Sequence, residues 1–194
     1  MKKELNLSFR ACRGISLLLL IFFLIGSLSC DKNDDDNNGS QNPIDQLPPA
    51  TQTGENTAGC LVNGEAFLPN NGSIQPLVLN YLNGEDFTLG ISREVNGSLY
   101  TIRISQFNIP LQEGETYLLN TEFTGSPSSA QYIINTFPPP SPNYYSTNSM
   151  VTGELTITSN DFNNAILSGT FWFDAINSEG DIVEVREGRF DIQL

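Results

Sequence analysis

The chain contains no histidine, a single tryptophan, and 9 lysines and arginines against 22 aspartates and glutamates. Without histidine, Ser-His-Asp and Cys-His catalytic arrangements are excluded, and the commonest zinc ligand is missing. Positive charge is scarcer still in the body of the chain. Lys2, Lys3, Arg10 and Arg13 precede Cys30, leaving 5 of the 9 cations, whereas only Glu4 of the 22 acids does, leaving 21 and a net charge near −16. No basic patch exists to displace counterions from phosphate, so nucleic acid is not an expected partner. Cysteine is scarce as well: Cys12 and Cys30 lie at the front, and Cys60 stands alone. One thiol forms no internal disulfide, so the fold rests on its hydrophobic core. Lastly, no window sustains a period of 3.6 with a cap and an apolar stripe, which leaves little room for helix.

What is present begins with "LLLLIFFLIGSLSCDKNDDDNNGS", residues 17 to 40. The cations at the start and the apolar run Ile15 to Leu28 have the shape of a secretory signal. The run is too short to span a membrane, which needs about 20 apolar residues. Small residues Ser27 and Ser29 lead into Cys30, and this seam resembles a bacterial lipobox. The resemblance implies cleavage before Cys30 and acylation of its thiol, in preference to a soluble secreted chain or an uncleaved short anchor. Two or more acyl chains hold a protein at a membrane where one holds it only marginally. Asp31, Asp34, Asp35 and Asp36, with three asparagines, bury no apolar area and read as a disordered, self-repelling tether. Their place after the cysteine resembles the acidic export signals of surface lipoproteins in Bacteroidota. The expected location is therefore the outer membrane, on the cell surface, with its periplasmic face as the alternative. Asp34, Asp36, Asn38 and Asp45 match the spacing of a calcium loop. Low-complexity Asp/Asn/Gly produces such matches by composition, and no helix-forming run flanks them, so no metal is expected.

From Gly59 onward, alternation takes over. Asn63-Gly64 and Asn83-Gly84 mark two-residue hairpin turns, where both positions must accept positive φ. "SLYTIRISQF" places Tyr100, Ile102 and Ile104 on one face and Thr101, Arg103 and Ser105 on the other. In "IVEVREGRFDIQL" Val183 and Val185 face one way, and Glu187-Gly188 invites a bulge before Phe190 and Ile192. About nine or ten short strands imply an all-β fold, a single antiparallel sandwich or barrel-like domain. The expected organisation is a lipoprotein signal peptide over 1–29, a lipidated Cys30 with a disordered acidic and Pro-containing linker over 30–57, and the β-domain over 58–194. Roughly 140 residues suffice for one core.

"LPPATQTGENTAGCLVNGEAFLP", followed by "GELTIT", "ILSGTFWFDAIN" and "VEVREGRFDI", resembles a family of uncharacterised lipoproteins frequent in Flavobacteria and other Bacteroidota. The resemblance runs from about Leu47 to the C-terminus. It carries no activity and no catalytic residue.

Among the residues themselves, Cys60 reads as a small buried hydrophobe beside Leu61 and Val62. Glu184, Glu187 and Asp191, or Asp174 and Glu179, are the only carboxylate sets that glycoside hydrolysis could use. With Arg186 and Arg189 interleaved, they read as charge pairs on a solvated face. Trp172 alternates against Phe171 and Phe173, and Trp172, Tyr144 and Tyr145 are the candidates for stacking on a sugar or a partner. The expected function is a non-enzymatic, lipid-anchored binding or assembly module that uses no cofactor. Its expected partners are the membrane, through Cys30, and an envelope protein or glycan. A lipocalin-like carrier of a small apolar ligand is the alternative, and a carboxylate-based hydrolase follows it.

Overall fold

Alternating short segments pair with their neighbours wherever a turn brings them round, and three Asn-Gly pairs do so here. Asn63-Gly64, Asn83-Gly84 and Asn96-Gly97 all have positive φ at both positions, the twist that suits tight hairpins. They join β1 (Thr57–Val62) to β2 (Glu65–Phe67), and β3 (Leu77–Leu82) through β4 (Asp86–Val95) to β5 (Ser98–Gln106). The remaining strands are β6 (Thr116–Leu119), β7 (Ser128–Thr136), β8 (Asn143–Ser146), β9 (Gly153–Asp161), β10 (Ile166–Ile176) and β11 (Ile182–Gln193). This computed structural model describes residues 42–122, 127–136 and 142–194. Their only helix is a single 3-10 turn, Pro43–Gln46, and none among them is long and apolar enough to cross a membrane.

The all-β expectation holds, with eleven strands in one antiparallel sheet. Its main path runs β2-β1-β11-β10-β8-β7-β5-β4-β3. The choice left open between sandwich and barrel resolves into one sheet that branches and folds over. β9 pairs with β10 from Ile166 to Phe173, whereas β8 takes only its end, at Ile176. β6 pairs on the far side of β9. Strands distant in the sheet order then meet face to face. The Phe87 ring of β4 lies 5.9 Å from that of Phe190 on β11, and Phe67 of β2 meets Tyr132 of β7 edge-on at 6.3 Å. Phe67, Phe87, Phe173, Leu89, Ile91, Ile102 and Ile104 are fully buried between these layers. Removing each such side chain from water stabilises by about 1.5–3 kcal/mol before chain entropy is counted.

The expected bulge is present, and the core depends on it. Pairing between β10 and β11 shifts between Phe171 and Phe173, and Glu187 has φ 54°. The extra residue reverses the alternation, so that Val183 and Val185 before it and Phe190 and Ile192 after it all face inward. Asp191 is thereby turned to the other face of the sheet.

Tyr144 and Tyr145 lie in a strand, β8, whose residues Asn143 to Ser146 pair with β7. One expectation is corrected: the linker does not reach Thr57. Leu47 is buried, and Thr51, Thr53, Gly54 and Glu55 all donate hydrogen bonds to Asp191. The domain therefore takes in at least Leu47 to Thr57, because four of the five donors to a buried carboxylate on the last strand come from this segment.

Candidate functional site

On the outer face of β3, β4, β5, β7 and β8, turned away from the core, lies a groove of about 790 Å³. Its size falls within the range of about 300–1,000 Å³ usual for ligand sites. The floor is built by alternation. Residues of β4 and β5 between the core positions, Thr88, Gly90 and Ser92 with Leu99, Thr101 and Arg103, point outward together. Ser92 and Thr101 share a 3.0 Å hydrogen bond across the two strands. At Gly90 an added Cβ would meet only Val78, at an ordinary 3.8 Å, so the glycine leaves open space on the floor.

Two walls close the groove. One is the loop Gly72–Gln75, which leaves the sheet between two fixed points. Asn70 exchanges hydrogen bonds with Glu94 (2.8 and 2.9 Å), and the Ser92 amide donates to the Pro76 carbonyl at 2.7 Å. Ile74 at the tip of this loop is 100 % exposed. The other wall is Tyr144 of β8, half exposed. Gln131 of β7 donates to the Ser146 hydroxyl at 3.0 Å and so fixes β8 beside β7. Ile133 and Asn135 complete that side.

Of the aromatic candidates, only Tyr144 reaches this groove. Tyr145 faces the opposite way, buried in the core against Tyr132 with ring centroids 5.9 Å apart. Trp172 lies elsewhere, on the outer face of β9, β10 and β11, beside a second hollow of about 430 Å³. Its indole N–H donates to Glu154 at 3.2 Å, and the Arg186 guanidinium sits 5.5 Å over its ring. Phe171 and Phe173 are buried and Trp172 is exposed, as their alternation implies.

Each carboxylate candidate has a different surrounding. Arg186 bridges Asp174 at 2.6 Å and reaches Glu184 at 3.9 Å, while Glu187 pairs with Arg189 at 3.3 Å. Glu179 stays exposed in the turn after β10. Asp191 is buried and accepts from the Thr51 hydroxyl (2.6 Å), the Ser168 hydroxyl (2.7 Å) and the amides of Thr53, Gly54 and Glu55. Burial alone would raise its pKa, but these donors outweigh it and hold the carboxyl below the usual range. A carboxylate so satisfied is a structural latch and has no lone pair to spare for a substrate. Cys60 is likewise buried, which pushes its thiol up to about 12 despite Arg93 nearby, so at neutral pH it is no nucleophile.

Cys30, Asp34, Asp36 and Asn38 lie outside the described residues, and Asp45 is exposed in the 3-10 turn. Among the described residues no group of three His, Cys, Asp or Glu side chains gathers to hold a metal.

The groove itself escaped sequence reasoning, although three signals of it are present. Leu99 and Ile133 are apolar residues in the outward phase of their strands, and Gly90 interrupts a strand interior, where glycine marks close approach or open space.

An antiparallel β-sheet domain with a packed interior and an open outer groove is the class that this geometry defines. The chain belongs to the DUF6252 family, described as a domain of unknown function, whose model matches residues 81–191, more than half of it. The match spans the groove strands from the end of β3 onward but not the Gly72–Gln75 wall or the segment that covers Asp191. No curated protein and no solved structure matches the chain.

Proposed function

We propose that this protein is a lipid-anchored component of the bacterial cell envelope, held at the outer membrane through acylated Cys30 and displayed on the cell surface. Its β-domain is a non-catalytic binding module, and the groove between Ile74 and Tyr144 is its binding site. The observation that carries this reading is the location of the space. Large aromatic side chains pack between the layers, whereas a hollow of ligand size lies outside. An interior carrier needs the reverse arrangement. The carboxylates give hydrolysis no support either, since Asp174, Glu187 and Asp191 are each engaged by cations or donors.

Two variants test the two halves separately. Cys30→Ser is expected to abolish acylation, read by mass spectrometry of the protein from cells, and to release it from membranes. An acylated Cys30→Ser protein, or a wild type that retains residues 17–28, would sink the anchor. Gly90→Val places a branched side chain on the groove floor in a strand that favours it. Stability is expected to hold or rise by about 0.5–1 kcal/mol, while groove binding is lost. Cells whose deletion phenotype is fully rescued by Gly90→Val would show that the groove is not the site.

A further inference from the structure

The side chains of the groove select among ligands by their chemistry. Gln75, Glu94, Arg103 and Asn135 each end in a planar polar group. An amide, a carboxylate and a guanidinium each present two hydrogen-bonding atoms at a spacing that matches neighbouring hydroxyls on a ring. Beside them lie the apolar surfaces of Val78 and Leu99. Tyr144, half exposed at one wall, presents a ring to the ligand space. The groove therefore offers polar forks, apolar surface and one aromatic face. An acyl chain would leave the polar groups facing hydrocarbon at a cost, and an extended peptide would more naturally pair with a strand edge than lie across a sheet face. A pyranose ring carries hydroxyls around its edge and C–H groups on its faces, so both kinds of surface are used.

Charge narrows the class further. Among the described residues the groove holds one cation, Arg103, and one anion, Glu94, so their formal charges balance. The protein around it is strongly acidic. A polyanionic sugar would meet repulsion with only one guanidinium to offset it. We propose that the groove takes a short, uncharged oligosaccharide, laid across the strands from the Gly72–Gln75 loop to Tyr144, with one ring stacked on Tyr144. This rests on the reading of the groove as the binding site.

The test is calorimetric titration of the full-length protein, in a detergent whose headgroup is not a sugar. The probes are neutral hexasaccharides (α- and β-linked glucans, mannan and xylan), an oligouronate, and Nile red as an uncharged apolar probe. At least one neutral hexasaccharide is expected to bind. Tyr144→Ala should weaken it by about tenfold, the scale of one lost aromatic contact, and Gly90→Val should abolish it. The single tryptophan makes an internal control. Because Trp172 lies on a different face, its emission should not move on binding. Nile red binding that Gly90→Val removes, with no sugar bound, would overturn the saccharide class and keep the groove. Preference for the oligouronate would do the same. Sugar binding that shifts Trp172 emission and ignores Tyr144→Ala would move the site to the other hollow and overturn the assignment. No binding by any probe would overturn both the saccharide and the groove.

Discussion

A chain shortened to begin at Thr57 will unfold about 10 °C below one that begins at Gln41, and Asp191→Ala in the longer chain will cost a similar amount. The reason is the latch. Asp191 is 1 % exposed, and four of its five donors come from Thr51 to Glu55. Deleting that segment leaves a carboxylate with only the Ser168 hydroxyl, on a face that was closed to water. Breaking one side of a buried charged arrangement costs about 3–5 kcal/mol, and for a domain of this size each kcal/mol moves Tm by about 2–4 °C. The pH dependence follows from the sign of the shift. The folded carboxyl titrates below its ordinary 3.8, so the latch contributes fully above about pH 4 and loses its contribution as pH falls toward the folded pKa. The gap in Tm between wild type and Asp191→Asn should therefore be wide at pH 6 and begin to narrow by pH 3. Equal melting temperatures for the two chain lengths, or a gap that widens in acid, would show that Thr51–Glu55 contribute nothing through Asp191.

That latch also marks a limit of sequence reasoning. "TQTGE" is polar, follows two prolines and reads as linker, because its partner lies 140 residues away for Thr51 and sits in a run of alternating Glu and Arg. The Asn-Gly turns and the bulge at Glu187-Gly188 were legible, since each is decided by backbone conformation within a few residues. β8 was not: four residues after a proline-rich run give too short a pattern, and its pairing is decided by β7. In the groove, alternation placed Thr101 and Arg103 of β5 outward and Ile102 and Ile104 inward correctly. It carried no information on the two walls, which come from a loop and from a strand remote in sequence. Tyr144 and Tyr145, adjacent in the chain, had to face opposite sides once they lay in a strand, and only one of them reaches the site.

Gly153→Ala is expected to have the largest effect of any glycine-to-alanine change among the described residues, about 3 kcal/mol or more. Gly153 opens β9 and pairs with Phe173 on one side and Leu119 of β6 on the other. A Cβ there would overlap the Trp172 carbonyl oxygen and lie 2.6 Å from the Phe173 Cα. Both are backbone atoms, and no rotamer change can move them aside. Gly188 differs in kind, since its added Cβ would meet the side-chain ring of Phe171, and Gly90 differs again, with nothing closer than 3.8 Å. The three positions should therefore rank in stability loss as Gly153→Ala first, Gly188→Ala second, and Gly90→Ala near zero or stabilising. Among the described strands β6 pairs only with β9, so a strand displaced from β10 takes β6 with it. Hydrogen exchange should show lost amide protection in Thr116–Leu119 and Gly153–Asp161, while β3, β4 and β5 keep theirs. A Gly153→Ala protein that melts within about 2 °C of wild type would mean that β9 does not approach β10 this closely. One that loses protection in β4 and β5 as well would mean that the branch at β10 unfolds together with the groove and not before it.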